Sequence, residues 1–188
     1  MTGTRPLRAD AARNREKLLA TAGQLFSERG LDVPMEHIAR RAEVSIGTLY
    51  AHFPTREAFF AAIFPQRLAA LDTLAERAGA EPDPWRAFVG YLEGLFALHA
   101  RDRGLNDVLV RQLAVEGVAQ ACHRGAEHLD DLIRRAQDGG RLRPDFTMAD
   151  MATLTRAVAQ IIRDATDDAP AEVGRFLEIY VAGLRTTP

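Results

Sequence analysis

The sequence predicts an all-α protein of about nine helices. Apolar residues recur three or four positions apart in almost every segment, and this spacing places them on one face of a helix. No segment reads convincingly as a strand with alternating apolar and polar residues. Cap residues, glycines and prolines lie between the periodic segments and mark where each helix begins and ends.

Four helices are predicted in the first 78 residues. Gly30 can end the first helix in a left-handed conformation, and Thr55 can cap the fourth. Pro65 lies inside the fourth helix and is expected to kink or break it, because proline removes one backbone hydrogen bond. The apolar faces of these helices are, in order, Leu18, Ala22, Leu25 and Phe26; Met35, Ile38, Ala39 and Ala42; Ile46, Leu49, Tyr50 and Phe53; and Phe59, Phe60, Ile63, Phe64, Leu68, Leu71 and Leu74.

Residues 79–84, with the sequence GAEPDP, are the clearest linker. Asp83 and Pro84 suit the cap and the first position of the fifth helix. Its apolar stripe consists of Trp85, Phe88, Val89, Leu92, Leu95, Phe96 and His99. A break near residues 102–104 precedes a short sixth helix over about 105–115.

Three more helices complete the predicted fold. Gly139 and Gly140 end the seventh, while Thr147 and Asp150 form a capping-box pattern that opens the eighth. The apolar positions are Val118, Cys122, Leu129, Leu132, Ile133 and Ala136 in the seventh helix, Met151, Leu154, Val158, Ile161 and Ile162 in the eighth, and Val173, Phe176, Leu177, Tyr180, Val181 and Leu184 in the last.

Composition and charge narrow the class of protein. The chain is 47% hydrophobic and 27% charged, which is typical of a globular protein. Residues 1–56 carry nine Lys and Arg against six Asp and Glu, a net +3, while the remainder carries −5. A basic head on an acidic body favours a polyanionic partner at the head, although a surplus of this size is also common in proteins that bind nothing charged.

The expected location is the cytoplasm. The apolar runs are too short for a transmembrane helix, and the N-terminus lacks the apolar core of a signal peptide. Cys122 is the single cysteine, which excludes an intrachain disulfide and a cysteine-rich metal site.

Residues 34–53 show the pattern of a helix-turn-helix motif. Two short helices are separated only by residues 43–45, and both are too short to persist without the first helix packed across them. On the second helix of the motif, one face is apolar and the opposite face is short, polar and uncharged, as a major groove accepts. The polar face consists of Ser45, Thr48, Ala51 and His52.

At these residues the chain resembles the TetR family of transcriptional regulators. The run IARRAEVSIGTLYAHFPTREAFF at 38–60 resembles the family signature, and AARNREKLLATAGQLFSERGLD at 11–32 resembles the family's first helix. The resemblance implies a DNA-binding domain over 1–54, a connecting fourth helix over 55–78, and a ligand-binding and dimerisation domain within 55–188. The positions implied to contact DNA are Ser45, Gly47, Thr48, Tyr50, His52 and Arg56, with Arg8, Arg13 and Arg15 as further phosphate contacts.

The resemblance also implies how such a protein works. It would be a homodimeric repressor that joins through its last two helices, binds a (pseudo)palindromic double-stranded DNA operator, and is released by a small molecule. Two positions depart from the family pattern. Glu43 stands where the turn usually has glycine, which would cost roughly 1 kcal/mol if its φ is positive. Ala51 stands where a larger residue is common, so one DNA contact is absent.

A largely apolar pocket is expected in the body, and it would suit a hydrophobic or aromatic effector. The candidate pocket residues are Trp85, Phe88, Leu92, Phe96, His99, Leu109, Leu113, Cys122 and Leu154. His99 also reads as an ordinary core histidine, and the apolar stripes of the last two helices suit either a dimer interface or the internal core.

No motif predicts catalysis, a cofactor or a metal. His123 and His128 are five residues apart, unlike the i, i+4 spacing of a helical zinc pair. The prediction is a regulator rather than an enzyme. Two alternatives stay open: an enzyme that uses the helical body, and a helical sensor or interaction protein of the same fold with weakened or lost operator binding.

Overall fold

Nine α-helices form the described part of the chain. The computed structural model describes residues 5–111, 113, 115–165 and 168–186. The helices are α1 (Arg5–Arg29), α2 (Met35–Arg41), α3 (Ile46–His52), α4 (Arg56–Ala80), α5 (Pro84–Arg101), α6 (Arg103–Arg111), α7 (Glu116–Asp138), α8 (Met148–Asp164) and α9 (Ala169–Leu184). The predicted all-α fold is confirmed, and over these ranges extended pairing is limited to an isolated bridge between Leu142 and Arg185.

The caps that the sequence predicts for α1, α4, α5 and α8 are present. The hydroxyl of Thr55 accepts a backbone N–H at the start of α4, and the carboxylate of Asp83 accepts two at the start of α5. Thr147 and Asp150 form a reciprocal capping box at α8. Gly30 follows α1 with φ of 79°, the left-handed conformation that glycine adopts without steric cost.

Two boundaries differ from the prediction. α4 runs through Pro65 without a break, because a proline removes only one backbone bond and the buried side chains of Phe64 and Leu68 on either side hold the helix to the core. α6 begins earlier than expected, at Arg103, because the carboxylate of Asp102 accepts the backbone N–H of Leu105 at 2.9 Å.

An aromatic cluster holds the N-terminal helices together. Phe26 of α1 and Phe53, the residue that follows α3, contact three rings of α4: Phe59, Phe60 and Phe64. The rings of Phe53 and Phe59 stack with centroids 4.0 Å apart, and all five side chains are buried. Each buried ring contributes roughly 1.5–3 kcal/mol, so the first half of α4 is fixed to α1 and α3.

α5 is the central helix of the remainder. It packs against α4, α6, α7, α8 and α9. The apolar stripes of the last two helices serve the internal core at seven positions, which are all buried: Met151, Leu154, Val158, Ile162, Val173, Leu177 and Leu184. The apolar residues that stay at the outer surface of α8 and α9 are Ile161, Phe176, Ile179 and Tyr180, and Ile179 is 59% exposed.

Candidate DNA interface and ligand cavity

The recognition helix of the predicted motif is α3, which begins with a two-hydroxyl cap. Ser45 is the N-cap, and its Oγ accepts the backbone N–H of Thr48 at 3.1 Å. The two hydroxyl oxygens also lie 2.8 Å apart and share a hydrogen bond. Both hydroxyls therefore lie at the helix N-terminus, where backbone N–H groups and the helix dipole favour an anion such as phosphate.

Burial on α3 is narrower than the sequence predicts. Leu49 and Phe53 are buried, whereas Ile46 and Tyr50 are 40% and 44% exposed. The expectation that Ile46 anchors the helix is therefore wrong, because α3 contacts α1 and α2 along the strip centred on Leu49, with Ile46 at its edge. Tyr50 presents much of its ring outward. His52 is half-buried at the C-terminal end of the helix.

Gly47 lies in the exposed first turn of α3. A Cβ atom placed on this residue meets no neighbouring side chain or other element within 4 Å. Nothing within the described protein therefore requires glycine here, although glycine weakens a helix by roughly 0.5–1 kcal/mol relative to alanine. The absence of a side chain leaves the backbone of α3 open to close approach from outside.

Glu43 has a positive φ at the turn position where the TetR family pattern usually has glycine. Its φ is 56°, and it is the non-glycine residue with positive φ among those described. The N–H of Glu43 donates to Arg40 at 3.2 Å, and the N–H of Val44 donates to Ala39 at 3.0 Å. This pair of bonds is a Schellman motif, whose left-handed position glycine usually occupies. The exposed carboxylate lies two residues before the Ser45 cap.

The predicted phosphate-binding arginines are held in defined places. Arg56 is half-buried and donates from Nη1 to the carbonyl oxygen of Leu31. The guanidinium of Arg15 lies 5.4 Å from the centroid of the Phe53 ring, which places this cation beside the end of α3. Arg13 is paired with Asp10 on the exposed side of α1. The side chain of Arg8 lies outside the described part of the chain.

A cavity of about 630 Å³ lies among α4, α5, α6, α7 and α8. Four of the nine predicted pocket residues line it, namely His99, Leu109, Leu113 and Cys122. Four residues of α5 and one of α8 lie in the surrounding core instead, because they are buried against neighbouring helices: Trp85, Phe88, Leu92, Phe96 and Leu154. The cavity is also lined by residues that were not among the predicted pocket residues: Leu71, Tyr91, Leu95, Val110, Ala119, His123, Gly125, Ala126, Leu129, Met148, Met151, Ala152, Thr155 and Arg156.

The inner wall of the cavity carries polar groups in neutral form. Burial lowers the pKa of His99 to about 4, against a weaker opposing effect of its hydrogen bond to Asn106. Burial also raises the pKa of the Cys122 thiol and of the Tyr91 hydroxyl. Near neutral pH these three groups are uncharged, whereas the cationic side chain of Arg156 is exposed at the surface. The interior therefore suits a neutral, mainly apolar molecule.

α6 connects the cavity to the N-terminal helices. Leu109 and Val110 line the cavity, while the carboxylate of Asp107 accepts the backbone N–H of Leu31 at 2.9 Å in a buried setting. Gly104 on the same helix lies so close to α1 that a Cβ atom would be 2.9 Å from the carbonyl oxygen of Phe26. One short helix thus lines the cavity and also packs against α1 and the residues that follow it.

Two arginines strengthen this connection. Arg111 of α6 donates to both carboxylate oxygens of Asp32, one at 2.9 Å, and holds the pKa of that carboxyl below its usual range. Arg67 of α4 donates to the carbonyl oxygen of Gly23 and to the carboxylate of Asp102, each at 2.6 Å. Arg67 therefore links α1, α4 and the residue that caps α6.

Membrane-spanning helices and clusters of metal ligands are both absent from the described ranges. No helix in them is both long and apolar enough to cross a membrane. They also contain no group of three or more His, Cys, Asp or Glu side chains arranged to hold a metal ion.

Comparison with known proteins covers both parts of the chain. Residues 18–63 match the family model described as bacterial regulatory proteins of the tetR family. Residues 83–186 match the model described as the C-terminal domain of SbtR-like transcriptional regulators. The comparison with curated protein sequences gives no match.

Solved structures show the same family. A TetR transcription regulatory protein from Mycobacterium vanbaalenii is 32% identical, with 96% of this chain and 100% of that chain aligned and a TM-score of 0.53. A TetR transcriptional regulator from Streptomyces coelicolor is also 32% identical, with 93% and 99% aligned and a TM-score of 0.57. The ketosteroid regulator KstR2 of Mycobacterium tuberculosis shares the fold at 20% identity, with 92% and 95% aligned and a TM-score of 0.66. The chain therefore belongs to the TetR family and is a DNA-binding transcriptional regulator of the helix-turn-helix type.

Proposed function

We propose that the protein is a homodimeric repressor that binds a (pseudo)palindromic operator and releases it when an apolar small molecule occupies the cavity. The proposed DNA-contacting residues are those predicted from the sequence, Ser45, Gly47, Thr48, Tyr50, His52 and Arg56. The proposed domains are the DNA-binding head at 1–54 and the body at 55–188, joined by the fourth helix. A regulator of this kind works where the DNA is, in the cytoplasm, and it needs no cofactor and no catalytic group.

The observation that best supports the proposed DNA-binding surface is the presence of glycine at position 47. Glycine at this exposed helical position lowers helix stability, and no neighbouring group of the described protein fills the space of its missing side chain. A partner that approaches the backbone closely explains both facts. The neighbouring hydroxyls of Ser45 and Thr48 can reach phosphates or base edges, and the exposed Ile46 can contact a thymine methyl group.

The outer apolar residues of α8 and α9 support the dimer. Ile161, Phe176, Ile179 and Tyr180 share one surface, and the rings of Phe176 and Tyr180 stack at 5.9 Å. A two-fold dimer through this surface would cover the apolar area that one chain leaves in water. It would also present two copies of α3, which must lie about 34–36 Å apart to enter successive major grooves.

α6 supports the ligand response. A molecule in the cavity touches Leu109 and Val110, and any displacement of α6 moves Asp107 and Arg111, which hold the residues that follow α1. A ligand that prefers a different position of α6 would change the spacing of the two heads and so lower operator affinity.

The test uses fluorescence anisotropy with DNA from the region upstream of the protein's own gene. We expect the wild-type protein to bind with steep salt dependence, because phosphate contacts displace counterions. Gly47→Ala should weaken DNA binding by about tenfold while it raises thermal stability slightly, since the added methyl group obstructs DNA but favours the helix.

Gly90→Ala is the matched control, because Gly90 is another exposed helical glycine with no group within 4 Å of a Cβ atom. This control should gain stability and keep its DNA affinity. Equal DNA binding by both variants would refute the proposed surface. The dimer is tested separately by analytical ultracentrifugation of Ile179→Glu, which should sediment as a monomer while the wild type sediments as a dimer.

A second candidate function follows from Glu43. The left-handed, acidic residue beside the motif suits a helical sensor or interaction protein that keeps the fold but has weak operator binding. Salt-insensitive or undetectable binding to the upstream DNA, together with retained ligand binding, would favour this second candidate.

A further inference from the structure

We propose that the deep wall of the cavity recognises a hydroxyl group, so that the effector is a neutral, mainly apolar molecule with a hydroxyl at its buried end. The recognising atom is Nε2 of His99, oriented by Asn106. This inference rests on the proposed ligand-binding role of the cavity and deepens it by naming the chemical class of the ligand.

His99 carries an unpaired polar atom at the cavity. His99 is 1% exposed and lines the cavity, and among the described residues its Nε2 atom has no hydrogen-bond partner. A buried polar atom without a partner costs roughly 1–3 kcal/mol, and most such atoms in folded proteins are satisfied. A ligand that supplies the missing partner would recover part of this cost on binding.

The other ring nitrogen fixes which kind of partner fits. Nδ1 of His99 lies 3.2 Å from Oδ1 of Asn106, and an amide oxygen can only accept a hydrogen bond. Nδ1 must therefore carry the proton. Because the ring is neutral at physiological pH, Nε2 keeps its lone pair and acts as an acceptor. The group that complements it is a hydrogen-bond donor.

The rest of the cavity selects among donors. Among the described residues that line it there is no aspartate or glutamate, so a cationic ammonium donor would lack a counter-charge there. A carboxylate would bring a second lone pair against Nε2, and burial opposes the protonation that would relieve the repulsion. Apolar side chains such as Leu95, Leu109 and Met151 surround the space. A neutral hydroxyl on an apolar frame satisfies all these conditions.

A pair of probes isolates this hydrogen bond: 2-naphthol has a hydroxyl donor, whereas 2-methoxynaphthalene keeps the ring and the oxygen but has no donor. Binding of each to the full-length protein is measured by isothermal titration calorimetry without DNA. The wild type should prefer 2-naphthol by roughly 3- to 10-fold, the worth of one hydrogen bond. His99→Phe should bind both probes with equal affinity.

Two further variants separate recognition from packing. Leu109→Ala removes an apolar wall and should weaken both probes while their ratio stays unchanged. Asn106→Leu removes the acceptor that holds the proton on Nδ1, so Nε2 can become a donor and the ratio should fall towards or below one. Thermal unfolding checks that each variant is folded. Nitrogen-15 NMR of the wild-type imidazole should show Nδ1 protonated and Nε2 unprotonated, a readout that needs no variant.

Each failure has its own meaning. Equal affinity of the wild type for both probes, a preference that survives in His99→Phe, or a protonated Nε2 would overturn the hydroxyl assignment while the cavity stays a ligand site. If the wild type binds neither probe, the cavity is not a site for apolar molecules. That result would refute both the proposed ligand response and this inference. DNA binding in the anisotropy assay is independent of all these outcomes.

Discussion

Replacement of Glu43 by glycine tests whether the turn of the helix-turn-helix motif is strained. Glu43 has φ of 56° in the Schellman motif that ends α2, and its carboxylate is exposed. A left-handed conformation costs a residue with a Cβ atom roughly 1–2 kcal/mol. Glycine removes this cost but adds about 0.4–1 kcal/mol of chain entropy to the unfolded state. Glu43→Gly should therefore stabilise the protein by about 0.5–1 kcal/mol.

The corresponding rise in melting temperature is about 1–4 °C for a protein of this size. The measurement is thermal unfolding by circular dichroism at one fixed protein concentration, because dimerisation makes the melting temperature depend on concentration. DNA affinity should also increase, on the order of twofold at low salt, because a negative charge near the phosphates is removed.

Glu43→Gln is the matched control for charge. It removes the carboxylate but keeps the Cβ atom and so keeps the strain. Its DNA affinity should rise as in Glu43→Gly, while its melting temperature should stay near that of the wild type. If the two variants have the same melting temperature, the assignment of strain to this residue is refuted. If neither variant binds DNA more tightly, the carboxylate does not lie near the phosphates.

Three more perturbations address other parts of the molecule. Gly104→Ala should lower the free energy of unfolding in urea by about 1–3 kcal/mol, because its Cβ atom would lie 2.9 Å from the carbonyl oxygen of Phe26. Gly90→Ala is the control and should gain stability. A Gly104→Ala variant as stable as Gly90→Ala would contradict the close contact of α1 and α6. The pKa of His99 is about 4 in the folded protein and near 6.5 when unfolded, so the unfolded state binds more protons and stability should fall by up to about 1.4 kcal/mol per pH unit from pH 6.5 towards 4. His99→Phe should flatten this slope between pH 7 and 5, and an unchanged slope argues against a neutral buried histidine. Pro65→Ala should alter operator affinity or the ligand response if this proline helps α4 to couple head and body, and the coupling role fails if both stay unaltered.

Most of the fold could be predicted because helix caps and apolar spacing act locally. Thr55, Asp83 and the pair Thr147 and Asp150 each bond to backbone atoms within three residues, so their effect is visible in a short stretch of sequence. The exposure of Ile46 could not be predicted in the same way. Periodicity shows which residues share a face but not how wide a strip the neighbouring helices cover.

The residues that line the cavity are harder to predict from the sequence than the helices of the helix-turn-helix motif. The recognition helix is one continuous segment, whereas the cavity is built from α4 through α8. A single apolar stripe, such as that of α5, faces both the core and the cavity. Only the packing of the other helices decides which of its residues line the cavity and which are buried in the core. The contact between Asp107 and Leu31 spans 76 positions along the chain, and no local pattern indicates it.

The dual contacts of α6 bear on attempts to retune the protein as a biosensor. This helix has nine residues, and it carries cavity-lining side chains beside those that hold the head. Under the proposed ligand response, a library of substitutions in α6 would alter the cavity wall and the contacts that hold the head at the same time. Met148, Met151 and Thr155 of α8 line the same cavity, and α8 packs on α5, α6 and α9. Under the same proposal, diversification at these three positions would change the cavity wall without replacing Asp107 or Arg111, the α6 residues that bond to the head.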